Sequence, residues 1–275
     1  MLRIHLRLSI AFGITLIACA AVSAGAAEPM PEDIAFRATL DGREERYMRI
    51  LPAGFEKQKP HDVLIALHGH GSDRRQFAEN NRDECRAARD VAKKHGMIFI
   101  SPDYRAKTSW MGPAAEADVV QIIQDLKSLY SVRHVVISGA SMGGTSCLTF
   151  AVLRPELVDG VVSMNGTANH VEYHNFQDAI AASFGGTKQQ VPEEYKKRSA
   201  ELHADKLTMP IACTTGGLDK SVPSESVVRM MDALKKQGRP VLLLHRPNGG
   251  HSTNYADGVD AYEFVLGKLR AKPAP

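Results

Sequence analysis

The stretch HVVISGASMGG, residues 134–144, decides how this chain is read. A β-branched run, Val135–Ser138, stops at Gly139-Ala140-Ser141-Met142-Gly143, and an apolar helical pattern, Met142–Leu153, follows. Gly-x-Ser-x-Gly alone is short enough for composition to produce it. Between a strand and a helix it acquires a physical meaning. The turn is so tight that the serine backbone is strained, and side chains at 139 and 143 would collide with neighbouring backbone. The helix N-terminus beneath the serine favours negative charge nearby. Ser141 is therefore the candidate nucleophile; the plain alternative is a glycine-rich strand–helix turn with no chemistry.

Working outward, short apolar runs alternate with helical patterns. Strands are expected at Ile34–Leu40 and Arg46–Leu51 around an Asp41-Gly42 turn, then at Asp62–Leu67, Met97–Ser101, Val135–Ser138, Gly160–Met164, Ile211–Thr215 and Val241–His245. Helices are expected over 74–95, Glu116–Tyr130, Met142–Leu153, Ser224–Gln237 and Asp257–Leu269. Residues 165–208 break this rhythm, being more polar with helical stretches at Asn175–Ser183 and Glu193–Lys206. The pattern predicts an α/β fold: a mostly parallel central sheet with helices on both faces and a small helical cap insertion at 165–208. In such sheets ligands sit beyond the carboxyl ends of the strands, so chemistry-bearing residues should fall just after strands.

A serine needs a base, and the base needs an orienting acid. Of the histidines after Ser141, only His251 lies in a loop beyond the last expected strand, within Pro247-Asn248-Gly249-Gly250-His251-Ser252; it is the candidate base. His245 falls inside the strand, and His170 and His174 fall in the polar insertion. Asp219, in Gly216-Gly217-Leu218-Asp219 after the Ile211–Thr215 strand, is the candidate acid; a helix-capping turn aspartate is its plain alternative. An oxyanion hole needs backbone N–H donors. Met142 supplies one, and the loop His68-Gly69-His70-Gly71 the other, from His70 with Gly71 next. His68 is expected to brace that loop or reach the pocket. Tyr104 and Trp110, after the 97–101 strand, are further pocket candidates, with Trp110 as a stacking surface or a cover for the core.

Composition bounds the rest. At 44% hydrophobic residues in 275, the chain can bury one sizeable core and is not disordered. A net charge of +3 with no basic run gives a nucleic-acid partner no support. Residues 1–27 have the layout of a secretory leader: Arg3, His5 and Arg7, then the apolar Leu8–Leu16, then small residues. Leu16-Ile17-Ala18-Cys19 also resembles a lipoprotein box, so Cys19 is a candidate lipidation site and the one route to a membrane. The expected location is secreted or periplasmic, with residues 28–275 as a single domain. Cys85, Cys147 and Cys213 match no zinc spacing and read as buried thiols. No metal, nucleotide or flavin motif appears, so no cofactor is expected.

Together the motifs LHGHG, GASMGG, GGLDKSVP and NGGHS, in this order, resemble the α/β-hydrolase family over nearly all of 60–270. The segments Phe184-Gly185-Gly186, Pro192-Glu193-Glu194-Tyr195, Arg198-Ser199-Ala200 and Lys206-Leu207-Thr208-Met209-Pro210 are similar to the catalytic domain of the prolyl oligopeptidase family. They are also similar to stand-alone secreted esterases of the feruloyl and acetylxylan type. Peptidases of that family carry a β-propeller ahead of the hydrolase domain, and residues 28–61 leave no room for one. HGHG also differs from the usual peptidase oxyanion loop. The resemblance thus implies a serine carboxylic-ester hydrolase acting on a small-molecule or carbohydrate-linked ester. A peptidase for short peptides and a non-catalytic binding module on the same scaffold are the alternatives.

Overall fold

The computed structural model of the protein describes Leu2 and residues 30–271. The expected leader and Cys19 thus lie outside the described residues, Leu2 apart. Eight strands form one sheet in the order β1-β2-β4-β3-β5-β6-β7-β8. β1 (Glu32–Arg37) and β2 (Glu44–Ile50) form an antiparallel pair, and β2 runs antiparallel to β4 (Ile98–Pro102). From β4 the sheet is parallel through β3 (His61–Leu67), β5 (Val132–Ala140), β6 (Gly160–Met164), β7 (Ile211–Gly216) and β8 (Val241–Arg246). This is the mostly parallel sheet that the strand–helix rhythm predicts, and the α/β-hydrolase architecture that the resemblance implies.

Strand periodicity sorts the core into two layers. Val63, Ile65 and Leu67 of β3 face a layer shared with α3 (Pro113–Leu129), α4 (Met142–Leu153) and α7 (Glu225–Lys236). Leu64 and Ala66 face the other layer, with α2 (Asp83–Lys94) and α8 (Tyr255–Ala271). α4 has no exposed polar face and is buried from Met142 to Val152, because helices and sheet enclose it. Cys85, Cys147 and Cys213 are buried free thiols, and burial pushes the Cys85 and Cys213 thiols up to about 12. Among the described residues no helix is long and apolar enough to cross a membrane.

The single helix expected over 74–95 is two. α1 (Arg75–Glu79) ends at Asn80, and α2 starts at Asp83. The Asn80 side chain accepts the Arg82 N–H at 2.9 Å, a local bond that competes with continued helix. The helical stretch expected over Glu193–Lys206 is likewise α6 (Pro192–Lys197) followed by a 3₁₀ segment, Ala200–Lys206. α5 (Gln177–Phe184) precedes them, and the three make up the helical part of residues 165–208. Arg198, buried, fastens this segment by donating to the Met111 carbonyl at 2.8 Å and pairing with Glu116 at 3.1 Å.

The loop between β4 and α3 turns on left-handed backbone at Tyr104, Arg105, Trp110 and Met111. Arg105 anchors it, donating to Asp118 and to Asp41 at 2.8 Å each. Burial of Asp118 outweighs that cation and lifts its carboxyl to about 7. The folded state therefore holds a proton that the unfolded chain releases near pH 4, and stability from this group falls as pH rises from about 4 to 7. Relative to wild type, Asp118→Asn should gain stability across that window and show a constant difference above it. Urea unfolding at a series of pH values reads this directly.

Two glycine substitutions separate close approach from open space. A Cβ at Gly143 would stand 2.0 Å from the Leu67 carbonyl oxygen, whereas one at Gly267 of α8 meets nothing within 4 Å. Gly143→Ala should cost at least about 3 kcal/mol in thermal or urea unfolding. Gly267→Ala should stabilise by about 0.5–1 kcal/mol.

Candidate active site

Three strand ends deliver the site. Ser141, between β5 and α4, sits at φ 59°, ψ −120°, a strained conformation for a residue with a side chain. Its N–H donates to the Met164 carbonyl at the end of β6, at 2.8 Å, which ties the turn to the neighbouring strand. A Cβ at Gly139 would lie 2.4 Å from the Gly143 carbonyl carbon, so both flanking glycines are there because backbone passes where a side chain would be. The turn leaves the Ser141 hydroxyl at the mouth of the sheet.

His251, in the loop after β8, brings Nε2 to 2.8 Å from Ser141 Oγ. Its Nδ1 lies 2.6 Å from Asp219 Oδ2, in the loop after β7. Asp219 is buried, and its other oxygen accepts the N–H groups of Ser221 and Val222 at 2.9 Å each. One carboxylate oxygen is thus fixed by backbone and the other is left for the imidazole. A carboxylate at Nδ1 keeps the ring proton there, so Nε2 presents a lone pair to the serine hydroxyl. The two loops pack backbone to backbone: a Cβ at Gly216 would stand 2.2 Å from the Gly250 carbonyl oxygen. His245 and His170 are elsewhere: His245 bonds Thr215 within the sheet, and His170 is buried against Thr149. An arrangement of this kind can take a proton from the serine as its oxygen attacks a carbonyl.

The loop after β3 is fixed by its own bonds. Gly69 donates its N–H to Gln76 Oε1 at 2.7 Å, and Gly71 donates to the Lys107 carbonyl at 2.7 Å. Gly71 is therefore removed from the expected donors, because its N–H is already spent. The N–H groups of His70 and Met142 have no acceptor among the described residues, leaving two donors beside Ser141.

A cavity of about 910 Å³ opens over Ser141 and His251, with Gly69, Gln76, Asn165 and Phe176 on its walls. The three pocket candidates His68, Tyr104 and Trp110 do not line it. His68 is fully buried; its ring nitrogens lie 2.9 and 3.1 Å from the Gly69 and Asp103 carbonyls, and burial lowers its pKa. Tyr104 is buried and donates its hydroxyl to the His68 carbonyl at 2.6 Å. Trp110 is buried behind His70 and donates its indole N–H to His70 Nδ1 at 3.1 Å. All three brace the loop after β3 from beneath. Residues that the sequence reading passed over take their place: the His70 imidazole, Phe176 and Asn165. Asn165 follows β6 directly, so the strand-end rule that located Asp219 would also have found it. Among the described residues no group of three or more His, Cys, Asp or Glu side chains is arranged to hold a metal.

A mostly parallel sheet carrying Ser, Asp and His in the loops after β5, β7 and β8 defines the α/β-hydrolase class. Residues 91–267 match the prolyl oligopeptidase family, and the chain belongs to that family. No curated protein matches it in sequence. In structure it is similar to a Mycobacterium tuberculosis puromycin-hydrolyzing peptidase, at 18% identity and a TM-score of 0.69, over 90% of this chain and 41% of that one. It is similar to the Pyrococcus horikoshii acylaminoacyl peptidase at 17% identity and a TM-score of 0.66, over 88% and 41%. It also resembles the Staphylococcus aureus fluorophosphonate-binding serine hydrolase FphF, at 17% identity and a TM-score of 0.65, over 89% and 99%. The chain thus spans well under half the length of the two peptidases.

Gln76→Leu tests the brace on the loop after β3. Leaving the buried Gly69 N–H without its acceptor should cost about 1–3 kcal/mol in urea unfolding.

Proposed function

We propose that this chain hydrolyses small carboxylic esters through an acyl-enzyme on Ser141. His251 Nε2 takes the proton of Ser141 Oγ as the oxygen attacks the ester carbonyl. The N–H groups of Met142 and His70 stabilise the oxyanion, and Asp219 stabilises the imidazolium. Collapse of the tetrahedral intermediate breaks the bond to the alcohol, which leaves with the proton held by His251. Water then enters, gives a proton to His251 and attacks the acyl carbonyl; the acid departs and Ser141 regains its proton. The observation that carries this reading is the chain of contacts Ser141 Oγ to His251 Nε2, 2.8 Å, and His251 Nδ1 to Asp219 Oδ2, 2.6 Å.

The ester preference is supported by the hydroxyl and amide groups of the cavity wall, Ser72, Gln76, Asn80, Ser252 and Asn254, beside the charged Arg82, Asp83 and Glu84, which suit an oxygen-rich alcohol. A second reading, hydrolysis of short peptide amides, is favoured by the family itself and by structural relatives described as peptidases. Both use the same acyl-enzyme, and they part at the leaving group.

Ser141→Ala should lose about 10⁶-fold in kcat for p-nitrophenyl acetate and lose labelling by a fluorophosphonate, with the circular dichroism spectrum unchanged. Asp219→Asn should lose about 10⁴-fold. Ester turnover that survives in Ser141→Ala would remove the assignment. Matched aminoacyl esters and aminoacyl anilides decide between the readings: anilide turnover equal to ester turnover selects the peptidase.

A further inference from the structure

The imidazole of His70 carries a donor that nothing among the described residues uses. Its Nδ1 accepts the Trp110 indole N–H at 3.1 Å. Trp110 is fully buried, and an indole nitrogen only donates. Nδ1 must therefore keep its lone pair, and the ring proton sits on Nε2. A second proton on the ring would set N–H against N–H. Desolvation also holds the His70 pKa below its ordinary value, which keeps the ring neutral. The ring is packed against Phe176 at 4.6 Å between centroids and against Trp110 at 5.9 Å. It is half-buried on the wall of the cavity that holds Ser141, and Nε2 has no acceptor among the described residues.

The sheet order says which part of a substrate this donor meets. His70 follows β3, on one side of β5 and Ser141, whereas His251 follows β8, on the other. The leaving oxygen must face His251 Nε2, which returns a proton to it. The acyl chain then extends toward the His70 side. We infer that His70 Nε2–H is a specificity-determining donor for an ether or hydroxyl oxygen in a short acyl chain, with Trp110 as the positioning residue that fixes its tautomer. This rests on the proposed ester hydrolysis at Ser141. A site that offers a fixed donor discriminates against an isostere lacking the acceptor, because the donor is then left unpaired.

Two esters that differ by one atom test it: p-nitrophenyl methoxyacetate and p-nitrophenyl butyrate. The ratio of their kcat/KM values in each variant, relative to wild type, cancels the intrinsic reactivity of the two carbonyls. His70→Phe, which keeps the backbone N–H, should lower the ratio about tenfold. His70→Gln, which restores a side-chain N–H, should recover part of it, and Trp110→Phe should fall between. In the resting wild type, the ¹⁵N spectrum of His70 should show the proton on Nε2, and Trp110→Phe should shift it toward a mixture. An unchanged ratio in His70→Phe overturns the inference, and so does a wild-type spectrum with the proton on Nδ1. The spectrum needs no variant, so a misfolded substitution does not shield the proposal. A wild type that neither reacts with a fluorophosphonate nor hydrolyses either ester instead overturns the reading of Ser141. The ¹⁵N spectrum would then still report on the Trp110–His70 pair by itself.

Discussion

The site depends on one close approach of backbone to backbone. The start of α4 passes so near the end of β3 that a Cβ at Gly143 would lie 2.0 Å from the Leu67 carbonyl oxygen and 2.8 Å from that of His68. This contact brings the N-terminus of α4 beside the loop that follows β3, so the N–H groups of Met142 and His70 border the same space. It also forces the turn at Ser141 into φ 59°, which the bond from Ser141 N–H to Met164 holds in place. Strain of that size persists only where the surroundings over-determine it. Here two neighbouring strands and a helix buried from Met142 to Val152 do so, and the result is a hydroxyl lifted clear of the sheet with N–H groups already in position.

Two imidazoles share the resulting cavity, and their proton positions are set in opposite senses. Asp219 faces Nδ1 of His251 and keeps the proton there, which frees Nε2 to accept from Ser141. Trp110 faces Nδ1 of His70 and excludes the proton from it, which makes Nε2 a donor. The same side chain thus presents a lone pair to Ser141 in one place and an N–H to the cavity in the other, and the partner buried behind it makes the difference. Each partner is itself immobilised. Asp219 is held by two backbone N–H groups, and Trp110 is packed among Tyr173, Phe176 and His170.

How much of this can be read in the sequence follows from where the information lies. The positions of Ser141, Asp219 and His251 are set by the ends of buried strands. Apolar runs mark strand ends well, and glycines mark the loops beyond them, so these residues and the sheet itself were legible. The helix over 74–95 was misjudged because Asn80 is a weak breaker on paper. In the fold, its side chain bonds the Arg82 N–H and stops α1. The walls of the pocket were legible least of all. Tyr104, Arg105, Trp110 and Met111 all adopt left-handed backbone, yet none is the glycine or asparagine that signals it. Each such residue turns its side chain away from where strand alternation would put it. Tyr104 and Trp110 therefore point beneath the loop after β3 rather than into the cavity. The only tryptophan in the chain was an obvious candidate for touching a ligand. Buried, it bonds instead to the His70 ring, and that hydrogen bond is a tertiary contact between loops 40 residues apart that no local pattern encodes.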